Sequence, residues 1–481
     1  MSFHATITPE IQAKLNAQKR NASISAIIIA VLICSLIVAI LFYIALSPVF
    51  KNAESLVSIN PTPMTKKELT KPTMKSEVQK KPTSTSSRTS SVIFTKIPSA
   101  VAVTMTQSTL PSLDFGNNSD FGEGVGIGTN EGADGNPSFN MIPKDISKRC
   151  SKQDRVERLT KEGGKEDYED QVVKALKWFQ TTQAEDGSWK AQGKPVAMTG
   201  LALLAYLGHC ETPASIEFGE TVQKAIVYLI NVSQRNEGRL ASNTANRHWC
   251  YEHAIATYAL AEAYTLCKGF KISMPGLEKS VSAAGNHIIN NQHVSGGWDY
   301  AYDTSGNRGG DTSIACWHLQ ALKACKTTMI EFNGLEKCAK RGIKYLESAE
   351  NGKGTIGYTP NSSKKTMTPG GVLCFQQWGK GKRSFTRNGI KWITETNDFD
   401  YTKHADLYMH YYSSQAMINA RGSAWSDYNK KTMVNVADSQ NDDGSWSLPG
   451  GATHGMSSKH YATCLCTLMM EVYYRFLPSA E

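Results

Sequence analysis

The sequence predicts an all-α fold, an α/α toroid of six helix pairs, preceded by a transmembrane helix and a disordered linker. Three observations predict it. Helical periodicity begins near Gln153 and recurs as paired helix-length segments to the C-terminus. The second segment of a pair is more apolar than the first, as in Leu201-Ala202-Leu203-Leu204-Ala205-Tyr206 and Cys464-Leu465-Cys466-Thr467-Leu468-Met469-Met470. A Gln…Gly-x-Trp corner ends the first segment at Gln183–Trp189, Gln292–Trp298 and Gln440–Trp446.

Residues 1–23 form a polar tail. Residues 24–47 carry no charge and, as a helix, span roughly 36 Å, enough to cross a hydrocarbon layer of about 30 Å. The run is too long for a signal-peptide core, and no small-x-small cleavage site follows it. Lys14, Lys19 and Arg20 precede the span and only Lys51 follows closely, which predicts a cytoplasmic N-terminus and an extracytoplasmic C-terminal domain. Residues 48–150 read as linker, first rich in Pro, Ser, Thr and Lys, then in Gly. Neither half can bury enough apolar surface to offset its ordering entropy. As a coil the linker reaches roughly 50–60 Å.

The toroid domain is expected over 151–481, opened by a short helix that Gly163-Gly164 breaks. Its pairs are 168–179 with 196–208, 222–234 with 251–267, 277–292 with 311–325, 335–347 with 367–378, 388–395 with 406–420, and 425–440 with 460–476. The apolar second helices require burial on nearly every side, so they form the inner ring. The first helices carry more Lys and Glu and form the outer one. In each corner Gly permits a tight turn, Gln bonds exposed backbone at a helix end, and Trp covers the neighbouring helix. An open solenoid is the alternative, and it would expose too much apolar surface.

The net charge of +9 is expected to arise mainly from Lys14–Arg20 and Lys66–Lys96, as topogenic and solvated linker charge, and no nucleic-acid partner follows from it. The eleven cysteines show no disulfide framework and no C-x2-C pair, and are expected as buried free thiols. That expectation fits a reducing compartment and stands in tension with the predicted topology.

The corners Gln183…Asp186-Gly187-Ser188-Trp189 and Gln440…Asp443-Gly444-Ser445-Trp446 resemble the QW motif of the squalene cyclase and protein prenyltransferase repeat superfamily. The chain is most similar there to membrane-anchored squalene-cyclase-like repeat proteins of bacteria, over residues 153–480. The resemblance implies an α/α toroid. It also implies two chemistries that can be checked residue by residue. Class II cyclases protonate an alkene from Asp-x-Asp-Asp, and this chain reads Arg308-Gly309-Gly310-Asp311-Thr312, keeping only the last Asp. Prenyltransferases hold zinc with Asp, Cys and His, and here Ser313 stands where Cys is needed while His460 is offset by two residues.

These residues motivate a membrane-anchored binding or scaffolding module of the cell envelope, using the toroid cavity or rim. Its expected partners are the membrane, through the one N-terminal helix, an isoprenoid or other apolar ligand, and an envelope protein or polymer. The alternative is an isoprenoid enzyme with Asp311 as catalytic acid. His253, Tyr302, Trp317, Tyr408, Tyr411 and Tyr412 are the expected ligand-binding residues, with no metal and no cofactor. A glycan-active toroid would instead need Asp299 and Asp303 facing a cleft.

Overall fold

A computed structural model describes residues 148–360, 362–451 and 457–475. The predicted membrane span and the linker up to residue 147 lie outside the described residues. Among the described residues no helix is long and apolar enough to cross a membrane.

A 3-10 turn at Lys148–Cys150 leads into α1 (Lys152–Lys161), which Ser151 caps by accepting the Asp154 amide at 3.2 Å. The pairs follow as α2 (Asp167–Thr182) with α3 (Pro195–Gly208), α4 (Gly219–Arg235) with α5 (Trp249–Gly269), and α6 (Leu277–Asn290) with α7 (Thr312–Thr327). Then come α8 (Leu335–Ser348) with α9 (Thr368–Gln377) and α10 (Ser384–Thr396) with α11 (Leu407–Ala420). The sixth outer helix is broken into α12 (Gly422–Tyr428), a π turn (Asn429–Met433) and α13 (Val434–Asp438), and it precedes α14 (Lys459–Met470). At the break the buried Asn429 donates to the Gly163 carbonyl at 2.7 Å and accepts from Tyr473 at 2.6 Å, tying the last outer helix to the first loop.

Apolar contrast decides the layers. Every residue of α3 from Val196 to Gly208 is buried, whereas α8 buries only Leu335, Cys338, Ala339, Gly342, Ile343, Tyr345 and Leu346. The inner helices pack in the order α3, α5, α7, α9, α11, α14, and α14 returns to α3. The ring is therefore closed, as predicted, and the solenoid alternative is excluded for this domain.

The corners link neighbouring units. The amide of Gln183 donates to its own corner at Gly187 O (3.0 Å) and to Thr221 O of α4 (3.0 Å). Gln292 does the same to Gly296 O (2.7 Å) and Cys338 O of α8 (2.9 Å). Gln440 reaches Gly444 O (2.9 Å) and Gln171 O of α2 (2.8 Å), joining the last unit to the first. The Trp189, Trp298 and Trp446 indoles donate to the helix just left, at Phe179 O, Ile288 O and Val436 O.

One expectation about sulfur is corrected. Cys150 and Cys210 form a disulfide, with Cα atoms 4.9 Å apart, and Cys250, Cys267, Cys316, Cys325, Cys338, Cys374, Cys464 and Cys466 are buried free thiols. The bond clamps the entry turn to the end of α3. Replacing Cys150 and Cys210 together by Ser is expected to lower stability by about 2–4 kcal/mol. Denaturant melts of wild type and variant, with and without reductant, check this, since reductant should affect only the wild type.

Candidate functional site at the starts of the inner helices

Asp311 is the residue from which the site is built. It caps α7, its Oδ1 accepting the amides of Ser313 (2.8 Å) and Ile314 (3.2 Å). Its Oδ2 is paired with Arg308, which also donates to Asp299 at 2.8 Å. Burial pushes the Asp311 carboxyl above its ordinary range, and Arg308 and the two amides pull it back. Asp311 is 1% exposed, so both oxygens are engaged and neither faces open space.

The loop that holds Arg308 is strained. Ala301, Tyr302, Gly309 and Gly310 all have positive φ, at 54°, 56°, 72° and 125°. The Ala301 amide donates to Arg247 O at 2.8 Å, and Asp311 N donates to Trp298 O at 2.9 Å. This turn lifts Tyr300 onto the rim, half-buried, with the Arg247 and Arg308 guanidinium carbons 4.2 and 4.6 Å from its ring centre. His248 meets the same ring edge-on at 4.8 Å, and Tyr251 lies at 6.2 Å. Tyr358, also half-buried, lies within electrostatic reach of Asp311, Asp406 and Tyr300. Arg247 and Arg308 are exposed.

Beneath this rim the centre of the ring is an aromatic column. Tyr408 carries one hydroxyl that lies 2.6 Å from the Ser313 hydroxyl and accepts from the Trp317 indole at 3.0 Å. Trp317 stacks on Tyr411 at 5.3 Å, and Tyr412 meets Tyr411 edge-on at 5.0 Å. The Tyr411 hydroxyl donates to Gln320 at 3.3 Å. Tyr411 is 0%, Trp317 1% and Tyr412 1% exposed, so these three rings are almost wholly covered by their neighbours.

The six residues predicted to bind ligand therefore separate into two groups. Trp317, Tyr408, Tyr411 and Tyr412 come together in the column. His253 and Tyr302 belong to a histidine cluster between α5, α6 and α7. There His253 accepts the Leu240 amide at 2.9 Å and faces Ala284 O at 3.1 Å, and Tyr302 bonds His318 at 2.8 Å. His287 completes the cluster at 4.9 Å from His253. Asp299, offered for glycan chemistry, is 6% exposed and bound to Arg308, while Asp303 is exposed and accepts the Ser305 and Gly306 amides of its own loop, so the two do not share a cleft. Thr199 and Thr463 accept the Trp189 and Trp446 amides, and Thr368 the Ile356 amide, all structural tasks.

Burial drives His318 down to about 3 and His287, His410 and His460 to about 4, and takes His253 well below its ordinary value. The unfolded chain binds these protons near pH 6.5 and the folded chain refuses them until well below that, so stability falls as pH drops below about 6.5. Urea melts at pH 7, 5.5 and 4.5 are expected to show a progressively lower midpoint. A flat midpoint across that range would contradict the burial of the cluster.

The residues sequence reasoning missed are Arg247, Tyr300, Arg308 and Tyr358. Arg308 stood in the segment compared with the cyclase motif, and the Gly309-Gly310 pair beside it was the available signal of a strained turn.

No family model and no curated relative matches this chain. Solved structures are similar to it at low identity. The GH76A α-1,6-mannanase of Salegentibacter sp. HEL1_6 has 9% identity and a TM-score of 0.47, covering 65% of this chain and 100% of its own. The type II terpene cyclase MstE from Scytonema, in its apo form, has 11% identity and a TM-score of 0.41, covering 64% of this chain and 97% of its own.

Proposed function

We propose that residues 148–475 are a binding module, that residues 24–47 anchor it to a membrane, and that it is displayed outside the cytoplasm with its site at the mouth formed by the inner-helix starts. The observation that carries the reading is the contrast between the centre and the mouth. Tyr411 has no exposed surface, whereas Arg247 and Arg308 are exposed on the rim around the half-buried Tyr300. An apolar ligand in the centre would have to displace a stacked and hydrogen-bonded column. A ligand at the mouth meets aromatic edges, cations and the half-buried Asp406 without rearrangement.

Two further observations support the reading. Asp311 spends its oxygens on Arg308 and on helix amides, which suits a cap better than an acid that must protonate an alkene. The Cys150–Cys210 bond suits an oxidising compartment, as the charge bias around residues 24–47 does. The partner class is an envelope polymer or protein segment that offers a negative group to Arg247 and lies against the edge of Tyr300.

The test compares wild-type full chain with the Arg247→Ala, Tyr300→Ala double variant for retention on isolated envelope polymer. Retention is expected to weaken about tenfold or more in the variant, with an unchanged melting temperature. In parallel, wild type is incubated with squalene and with a polyprenyl diphosphate, and no turnover is expected. Turnover that disappears in Asp311→Asn would overturn the reading in favour of an isoprenoid enzyme.

A further inference from the structure

Within the domain the surplus of positive charge lies in one sector. Residues 148–475 hold 39 Lys and Arg against 32 Asp and Glu, and residues 323–387 alone hold 13 against 4. The rest of the domain is thus close to neutral. Within the sector, α8 carries Lys337, Lys340, Arg341 and Lys344 at the i, i+3, i+4, i+7 spacing of one helix face. Beside this face runs a groove of about 260 Å³, where Lys340, Ile343 and Lys344 oppose Trp378 and Lys380.

The groove's own carboxylates are already occupied. Glu336 pairs with Lys326 at 2.5 Å and Glu347 with Lys380 at 3.5 Å. The Lys323 and Lys326 ammonium groups lie 5.4 and 5.9 Å from the centre of the Trp378 ring. Lys340 and Lys344 are exposed, and no ion pair to them is formed among the described residues. The chemistry of such a surface suits a partner that combines several carboxylates with aromatic or apolar side chains.

This chain contains a segment of that kind. Residues 97–143 hold Asp114, Asp120, Glu123, Glu131 and Asp134 and no Lys or Arg. Two of the acids stand before phenylalanines, in Asp114-Phe115-Gly116 and Asp120-Phe121-Gly122. Position agrees with composition. The chain enters the domain at the end of the ring where the inner helices finish, with Arg149 beside Glu262 and Cys150 bonded to Cys210 just beyond α3. The groove lies toward the same end, since Trp378 directly follows α9 and Lys326 sits in the last turn of α7. A ring of two helix layers is roughly 40–50 Å across. From residue 148 an extended chain reaches up to about 45–50 Å at Asp134 and about 90 Å at Phe121.

We propose that the Trp378 groove is a docking site for the chain's own acidic segment 113–134, which covers the basic sector. Lys340 and Lys344 receive the carboxylates, and a phenylalanine lies against Trp378 and Ile343.

Zero-length carbodiimide coupling of the detergent-solubilised full chain tests this, with an equal mixture of isotopically light and heavy protein. Coupling of Lys340 or Lys344 to one of the five acids within a single molecule is expected, and it should be lost in Lys340→Gln, Lys344→Gln protein and at about 0.5 M salt. Coupling only between light and heavy chains, or none at these lysines, overturns the proposal. As a second measurement, full chain with the five acids changed to their amides is expected to bind a short inorganic polyphosphate about tenfold more tightly than wild type, because the groove is uncovered. Equal binding by the two proteins also overturns it.

Discussion

Arg475→Met is expected to destabilise the domain by about 3–5 kcal/mol, because it strands buried charge. Arg475 is 4% exposed at the end of the ring opposite the mouth. It approaches Glu262 at 3.6 Å and donates to Tyr258 at 3.1 Å, while Arg149 approaches the same Glu262 at 3.8 Å. Glu471, fully buried, depends on these guanidinium groups, and burial already holds its carboxyl well above the ordinary range. Without Arg475, Glu471 stays protonated to still higher pH. A folded pKa above the unfolded one gives a contribution that is complete at low pH and disappears as pH rises, so the penalty should be greater at pH 8 than at pH 5. Melting temperatures are expected to fall by about 5–15 °C. Arg475→Lys, which keeps the charge, should lose clearly less. Equal losses for Met and Lys, with no pH dependence, would show that packing alone is at stake.

The architecture was legible because it rests on short-range contrasts. Leu201–Tyr206 and Cys464–Met470 are apolar on every side, and only a position between other helices accepts that. The corners were legible because Gly, Gln and Trp each perform a local task. The π turn at Asn429 was not, since it answers to Gly163 and Tyr473, both distant in sequence. The same holds for Cys150 and Cys210, which lie 60 residues apart and meet only when the entry turn packs beside the end of α3. At the site, Asp311 was found as a helix start, but its commitment to Arg308 depends on the positive-φ turn at Gly309-Gly310. Trp317, Tyr408, Tyr411 and Tyr412 were expected in one set with His253 and Tyr302, because periodicity says nothing of which rings touch or whether they leave a void. The basic sector could be counted in the sequence, but α8 and the Trp378 loop become one surface only in the fold.

Gly444→Ala is expected to open the ring at its seam. Gly444 has φ +87°, and a Cβ there would lie 2.3 Å from the carbonyl oxygen of Lys174 and 2.5 Å from its carbonyl carbon. Lys174 belongs to α2, so this is where the last corner rests on the first outer helix. The obstacle is helix backbone, which cannot rotate away as a side chain can. The alanine also adopts a left-handed conformation, at about 1–2 kcal/mol. Gly193→Ala separates the two costs, because Gly193 has φ +61° and nothing within 4 Å of the added carbon. Gly193→Ala should therefore lower stability by about 1 kcal/mol, and Gly444→Ala by several. Gln440→Leu removes the amide that bonds Gly444 O and Gln171 O across the same seam, and leaves both carbonyls to find other donors. If Gly444→Ala and Gln440→Leu act on one contact, their combined loss falls short of the sum of the single losses. Hydrogen exchange should then show α2 and α14 losing protection together, ahead of α5 and α7. Additive losses, or exchange spread evenly around the ring, would mean that closure at this corner is not a distinct source of stability.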